Sequence, residues 1–230
     1  MTPADNRAQA APASARGPVR RAGAAAVSNY DRTLQRMPAE FLKYDQQRMI
    51  RLFHLAHDKA YLYLRFLARS FRVSRAAGTV EWQDESGVWR PACFEAAMTL
   101  YDLLCCAKDG CHLSGRYARA EQLRGTLYGA NPADGMFDAF IVRCAAAPEA
   151  LAHACAALGG ERLDIGEISY RIPVFDFLPA ILQFWSADED FPASFKLMWD
   201  ENVLDFLRFE TVCYAAGYLV NRLTEEMQRP

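Results

Sequence analysis

The sequence predicts an α+β fold, with antiparallel β-sheet and meander elements packed against several helices in a single domain. A chain of 230 residues is long enough to bury one sizeable core. Its 52% of apolar and 23% of charged residues are typical of a soluble globular protein. Runs of strand-like spacing alternate with runs of helical spacing instead of forming βαβ units, which favours antiparallel over parallel sheet.

In the first half of the chain, apolar spacing predicts a helix, then strands, then another helix. Residues Tyr30 to Gln47 have helical spacing, with a restart at Pro38. The period changes to two from Ile50 to Leu55, so we expect a strand there. Further strands and a helix are expected at 61–67, 71–74, 79–82 and 94–105.

The second half continues with helices and strands. Spacing and the Gly159-Gly160 stop predict two helices, the first carrying Phe137 to Cys144 and the second beginning at Pro148. Pro173 and Pro179 cannot donate backbone hydrogen bonds, so they belong at strand ends, bulges or an edge. Strands are expected at 169–175, 178–185 and 194–199, followed by a helix at 208–228.

Residues 1–28 form a distinct segment rich in alanine and arginine. It has almost no large apolar side chains, so burial cannot offset the entropy of ordering it, and we expect a disordered tail. Residues 29–230 form the predicted domain. Six arginines and two aspartates lie in residues 1–36, which leaves a net charge of −6 on the rest of the chain in a total of −2. This negative charge argues against a nucleic-acid partner.

Cysteine usage and motifs exclude several classes of protein. Seven cysteines without a secretory signal predict reduced thiols in the cytoplasm, and no run reaches the roughly 18–20 apolar residues of a membrane span. GxSxG, P-loop, GxGxxG and HExxH motifs are absent from the sequence, and no cofactor is implied. His54 and His57 read HxxH, but in a segment of period two they face opposite sides.

Short segments of the second half have the order and spacing of a bacterial and archaeal family. They are Ala157-Leu158-Gly159-Gly160, Asp164-Ile165-Gly166, Pro173-Val174-Phe175, Phe184-Trp185, Asp188-Glu189-Asp190-Phe191-Pro192 and Met198-Trp199-Asp200. Through them the chain resembles domain of unknown function 3786, with a looser match over about Tyr30 to Met227. The resemblance implies no known activity and no catalytic residues. Some relatives carry a four-cysteine iron–sulfur module, which implies anaerobic or corrinoid-linked metabolism, but this sequence contains no such module.

Cys105, Cys106, Cys111 and His112 are the one local cluster of soft metal ligands in the sequence. Thiolates and imidazole suit zinc or iron. Cys105 and Cys106, however, are adjacent near the end of a predicted helix and lie about 100° apart, so they do not converge as a CxxC pair does. We therefore do not favour a metal site here and expect Cys105 to be a small core residue.

Three carboxylates are the candidate ligand-binding residues. If strands 178–185 and 194–199 pair as a hairpin, five residues at about 3.3 Å each separate its ends by roughly 17 Å. Asp176 lies in the turn before the first strand, and Asp200 and Glu201 follow the second, so all three belong to the same end. Together they would suit a hard cation or a ligand amine. The alternative is that Asp200 caps a short helix starting at Glu201.

These observations favour a non-catalytic cytosolic binding or regulatory module with an unknown protein or small-molecule partner. One alternative is an accessory protein of metal, iron–sulfur or corrinoid-linked metabolism that uses the cysteines or the carboxylates. A second alternative is an enzyme without a recognisable local motif, because catalytic groups often converge from distant positions.

Overall fold

The computed structural model describes residues 29–123 and 135–229, which contain seven α-helices and two five-stranded antiparallel sheets. The predicted α+β class is confirmed. The disordered tail predicted over residues 1–28 lies outside the described residues. The helices are α1 (Asn29–Phe41), α2 (Gln46–Phe53), α3 (Phe94–Cys106), α4 (Asp138–Ala146), α5 (Pro148–Ala157), α6 (Val203–Phe206) and α7 (Phe209–Met227). The strands are β1 (Ala56–His57), β2 (Tyr61–Phe66), β3 (Arg69–Ser74), β4 (Val80–Gln83), β5 (Trp89–Pro91), β6 (Tyr117–Arg119), β7 (Glu161–Arg162), β8 (Ile168–Phe175), β9 (Leu178–Trp185) and β10 (Ser194–Asp200).

The two sheets differ in strand order. Sheet A is a meander in the order β1-β2-β3-β4-β5, so each strand pairs with the next along the chain. Sheet B has the order β6-β10-β9-β8-β7. Within it β9 and β10 form the predicted hairpin, with Trp185 opposite Ser194. Pro173 and Pro179 lie opposite each other beside a bulge in β8, as their missing donors predict.

The prediction of a strand from Ile50 to Leu55 is wrong, because most of this segment lies in helix α2. Asp45 caps the helix, and its side-chain oxygen accepts the N–H of Gln47 at 2.8 Å. The helix buries Met49 and Phe53, which are four residues apart and therefore share one face. The first helix also differs from the expectation: α1 ends at Phe41, and Pro38 lies inside it.

The helices are layered around α3, which packs between α1 and α7, and α5 packs on α7 and β8. Helix α3 is buried along most of its length, including Leu100, Leu103 and Leu104. Within the described ranges no single helix is long and apolar enough to cross a membrane; α4 and α5, joined at a 108° bend, pass that test only as a pair.

A stack of aromatic rings joins the two sheets to the helices. Phe66 of β2 lies 4.8 Å from Phe175 of β8 and 4.9 Å from Tyr218 of α7, measured between ring centroids. The stack continues from Phe175 to Phe177, at 5.6 Å, and from Phe177 to Phe53 of α2, at 4.8 Å. Stacked aromatic pairs add to the free energy gained by burying their area. This column therefore fixes sheet A, sheet B, α2 and α7 to one another.

A tight turn between β2 and β3 forms a second junction between the sheets. Leu67 and Ala68 both have positive φ, 48° and 62°, as in the hairpin turns whose twist matches the flanking strands. Leu67 is buried, and its N–H donates to the carbonyl oxygen of Val174 in β8 at 2.9 Å. Burial and this hydrogen bond hold a leucine in a conformation that usually favours glycine or asparagine.

Candidate functional site

Asp200 is a buried structural carboxylate. It has no exposed surface, and its Oδ1 accepts the N–H groups of Ser114 and Asn202, both at 2.9 Å, while Oδ2 accepts that of Gly115 at 2.8 Å. Burial acts to raise the pKa of Asp200, but these backbone N–H groups outweigh it and hold the pKa below its usual value. The alternative prediction, that Asp200 caps a short helix starting at Glu201, is wrong, because the next helix, α6, starts at Val203 and its N-cap residue is Asn202.

Glu201 is the exposed neighbour of Asp200 and forms an ion pair with Arg116. Its Oε2 accepts from Nε of Arg116 at 2.8 Å and from Nη2 at 2.6 Å. The Glu201 N–H also donates to the Arg116 carbonyl oxygen at 2.8 Å. Asp200 and Glu201 thus attach the segment around residues 114–116 to the end of β10.

Asp176 lies at the same end of sheet B as Asp200 and Glu201, but the turn that carries it packs against helix α2. It is exposed in the connection between β8 and β9, next to Phe177, whose ring stacks on Phe53 of α2. Among the residues that the structure describes, no group of three or more His, Cys, Asp or Glu side chains could hold a metal ion. The structure therefore does not gather Asp176, Asp200 and Glu201 into a cation site.

The cysteine cluster is also dispersed. Cys105 is buried, as expected of a small core residue, whereas Cys106 and Cys111 are partly exposed. Burial raises the pKa of Cys105 to about 12 and also raises the pKa of Cys106 and Cys111. Nδ1 of His112 lies 3.1 Å from the carbonyl oxygen of Gly110. These thiols are protonated at neutral pH, so they are poor nucleophiles.

Cys105 and Cys106 line a cleft of about 700 Å³ between α1, α3 and the start of α7, which we call the α1–α3 cleft. Its three carboxylates already have partners. Glu40 accepts from Lys43 Nζ at 2.8 Å, Asp102 from the Arg208 N–H at 2.7 Å, and Glu210 from the Tyr214 hydroxyl at 2.5 Å. The acids of this cleft therefore have structural partners within the protein.

A second cleft, of about 520 Å³, contains Asp176 and is called the Asp176 cleft. Sheet A contributes outward-facing residues to its lining, which the strand registers identify, as well as the buried Leu64 and Phe71. Arg65 lies opposite Ser70 across β2 and β3, and Gln83 lies opposite Trp89 across β4 and β5. Because side chains of directly paired residues share a face, these pairs form a polar wall that ends in an aromatic ring.

The end of α2 and the β8–β9 turn also line the cleft. His54 ends α2 in the left-handed conformation, with φ 49°, and its N–H donates to the Ile50 carbonyl. The stacked rings of Phe53 and Phe177, 4.8 Å apart, join this helix end to the turn that carries Asp176. The cleft therefore lies where α2, sheet A and sheet B meet, on elements fixed by the aromatic stack.

The charged groups of the Asp176 cleft are unpaired. Across the described parts of the chain, the side chains of Arg65, His54 and Asp176 make no hydrogen bond or ion pair, and all three are exposed. Arg72, on the same face of sheet A, is different: it lies 4.1 Å from the Tyr61 ring and pairs with Glu81 at 2.8 Å. Arg72 therefore has partners on this face, whereas Arg65, in the cleft, has none among the described residues.

Sequence reasoning identified Asp176 and missed Arg65, Ser70 and Gln83. It considered His54 only in an HxxH pair on an expected strand, whereas the structure places His54 at the end of helix α2. The outward position of Arg65 was available from the period-two pattern of β2. Its proximity to Asp176 was not, because that depends on the turn between β8 and β9 lying against α2.

Residues 45–222 match a protein family described as domain of unknown function (DUF3786). The chain belongs to this family. No curated protein and no solved structure matches the chain. The DUF3786 match spans both sheets and every residue that lines the Asp176 cleft, whereas helix α1, which forms a wall of the α1–α3 cleft, precedes it.

Proposed function

We propose that the protein is a non-catalytic binding or regulatory module that holds a small ligand in the Asp176 cleft. The observation that carries this proposal is a cavity lined by unpaired charges of both signs, Arg65 and Asp176, beside aromatic rings. Its volume of about 520 Å³ falls within the range of about 300–1,000 Å³ found for small-molecule sites. Pockets that combine apolar walls with a few polar groups are the usual places for ligand recognition.

The state of the nucleophilic groups supports binding without catalysis. Burial raises the pKa of all seven cysteine thiols, so none has the lowered pKa of a reactive cysteine. Ser70, His54 and Asp176 all line the cleft, but in the described structure no hydrogen bond joins any two of them. A nucleophile is activated when a base contacts it and a third group orients that base.

Native mass spectrometry of the full chain purified from its own host tests the proposal. We expect wild-type protein to retain a small molecule, and the Asp176→Asn variant to lose most of it. Glu189→Gln is the matched control, because Glu189 is an exposed acid on the β9–β10 connection, at the other end of sheet B. If no small molecule is retained, or if both variants retain it equally, the proposal is wrong.

A further inference from the structure

The charge balance of the Asp176 cleft restricts the chemistry of its ligand, and this step rests on the proposed function. Arg65 supplies one positive charge and Asp176 one negative charge, with no ion pair to either in the described part of the chain. A ligand that excludes water from both groups must compensate both, because desolvating an unpaired charge is unfavourable. A purely anionic or purely cationic ligand would compensate only one of them.

Each charged group has a suitable counterpart. The planar guanidinium of Arg65 presents a fork of N–H donors that matches a carboxylate, and the Ser70 hydroxyl lies directly across the hairpin from it. The Asp176 carboxylate accepts hydrogen bonds only, so it suits an ammonium group. Arg65, on β2, and Asp176, on the β8–β9 turn, line the same cleft of about 520 Å³, so a ligand that fills the cleft can contact both.

Aromatic rings form part of the remaining lining of the cleft. Phe53 and Phe177 form a stacked pair, and Trp89 also lines the cleft. The indole of Trp89 also lies 4.3 Å from the Arg72 guanidinium, which holds the ring in place. These rings favour a ligand that carries a ring or a large apolar group beside its charged groups.

From these three features we infer that the Asp176 cleft binds a zwitterion that carries an ammonium, a carboxylate and an aromatic or large apolar group. The carboxylate contacts Arg65 and Ser70, the ammonium contacts Asp176, and the apolar group lies against the rings. A free amino acid and a short peptide both have this chemistry, but they differ in the distance between their charged ends.

Calorimetric titration of the full chain with four probes tests this inference. The probes are L-phenylalanine, L-alanyl-L-phenylalanine, phenethylamine, which lacks the carboxylate, and 3-phenylpropionate, which lacks the ammonium. We expect one of the two zwitterions to bind at least about ten-fold more tightly than either singly charged probe. The preferred zwitterion identifies a free amino acid or a peptide as the source.

Variants assign each charge to its residue. Asp176→Asn should lower the affinity for the zwitterion about ten-fold and leave the affinity for 3-phenylpropionate unchanged. Arg65→Gln should lower the affinity for the zwitterion and leave the affinity for phenethylamine unchanged. Glu189→Gln should change none of the affinities. Both cleft residues are exposed and unpaired, so we expect these variants to fold, and an unchanged melting midpoint verifies it.

The outcomes separate this inference from the proposed function. If neither zwitterion binds more tightly than the singly charged probes, the inference is wrong. The binding module still stands in that case if wild-type protein retains a host molecule that Asp176→Asn loses. If no molecule is retained in an Asp176-dependent manner, the proposed function fails as well.

Discussion

The two sheets have the same number of strands but expose their side chains differently. In sheet A, strand β2 alternates between buried and more exposed residues, and its outer face carries Tyr61, Tyr63 and Arg65. In sheet B, every residue of strand β9 is buried except Pro179 and Trp185. Sheet A thus has one open face, whereas the centre of sheet B is enclosed on both faces.

This difference determines what polar residues do in each sheet. Two buried polar side chains of sheet B have partners: Ser169 donates to the Leu182 carbonyl oxygen at 3.2 Å, and Asp200 accepts three backbone N–H groups. On the open face of sheet A, Arg65 has no partner within the described residues. Buried polar groups must be satisfied internally, but exposed ones can remain free for a ligand. Under the proposed function, sheet B is the scaffold, and sheet A with the β8–β9 turn provides the recognition surface.

The largest effect is expected where the two sheets meet. Phe66 is fully buried between Phe175, Tyr218 and Phe71, so Phe66→Ala should lower the free energy of unfolding by about 4 kcal/mol. Arg65→Ala, at the adjacent outward position, should change it by less than about 0.5 kcal/mol. Urea unfolding of both variants measures the contrast. Similar losses would show that the outer face of sheet A is not open.

A smaller but clear loss is expected at the end of sheet B. Asp200→Asn replaces one acceptor oxygen by a donor amide, which leaves at least one buried N–H unsatisfied, so it should cost about 2–3 kcal/mol. Asp176→Asn, at the same end but exposed, should leave stability within about 0.5 kcal/mol. Equal effects in denaturant unfolding would contradict the separate roles assigned to the two aspartates.

The pH dependence of stability provides another test of Asp200. Its pKa is lowered in the folded state, so the stabilisation by its ionised form is complete above the unfolded value of about 3.9 and is lost as pH falls through the folded pKa. The stability difference between wild type and Asp200→Asn should therefore be constant near neutral pH and shrink below about pH 4. A difference that does not vary down to pH 2 would show that folding does not lower the pKa of Asp200.

The smallest effect is expected at the exposed ion pair beside Asp200. Glu201→Gln removes the charge that pairs with Arg116, and pairs of this kind contribute little in water. The melting midpoint should fall by less than about 2 °C, and the fall should disappear in high salt because salt screens exposed charges. A fall as large as that of Asp200→Asn would place Glu201 in the core scaffold.

Much of the fold is predictable because long strands and helices carry their own periodicity. Strand β9 has the predicted bounds, Leu178–Trp185, since an apolar run between two turns is a strong local signal. Helix α2 was missed because a short segment such as 50–55 fits a period of two as well as a helix. The Asp45 cap and the spacing of Met49 and Phe53 are the signals that favour the helix. Strands β1, β5, β6 and β7, with two or three residues each, exist only through pairing with longer strands.

The candidate site was less predictable than the fold. Asp176 was singled out, together with Asp200 and Glu201, because the hairpin places all three at one end of the sheet. The sequence does not show that Asp200 accepts the backbone N–H groups of Ser114 and Gly115, which lie on a distant loop, in addition to that of Asn202. Nor does it show that the β8–β9 turn lies against α2, which brings Asp176 to the same cleft as Arg65. Both facts depend on long-range packing.

The most direct test of the proposed binding function is an amide chemical-shift map of the full chain, recorded while small molecules extracted from its host are added. We predict that shifts concentrate on residues of the Asp176 cleft, with Arg65, Ser70 and Phe177 as reporters, and that Cys105 and Cys106 of the α1–α3 cleft remain unchanged. Asp176→Asn should abolish the response. Shifts confined to the α1–α3 cleft, or no shifts at all, would contradict the assignment of ligand binding to the Asp176 cleft.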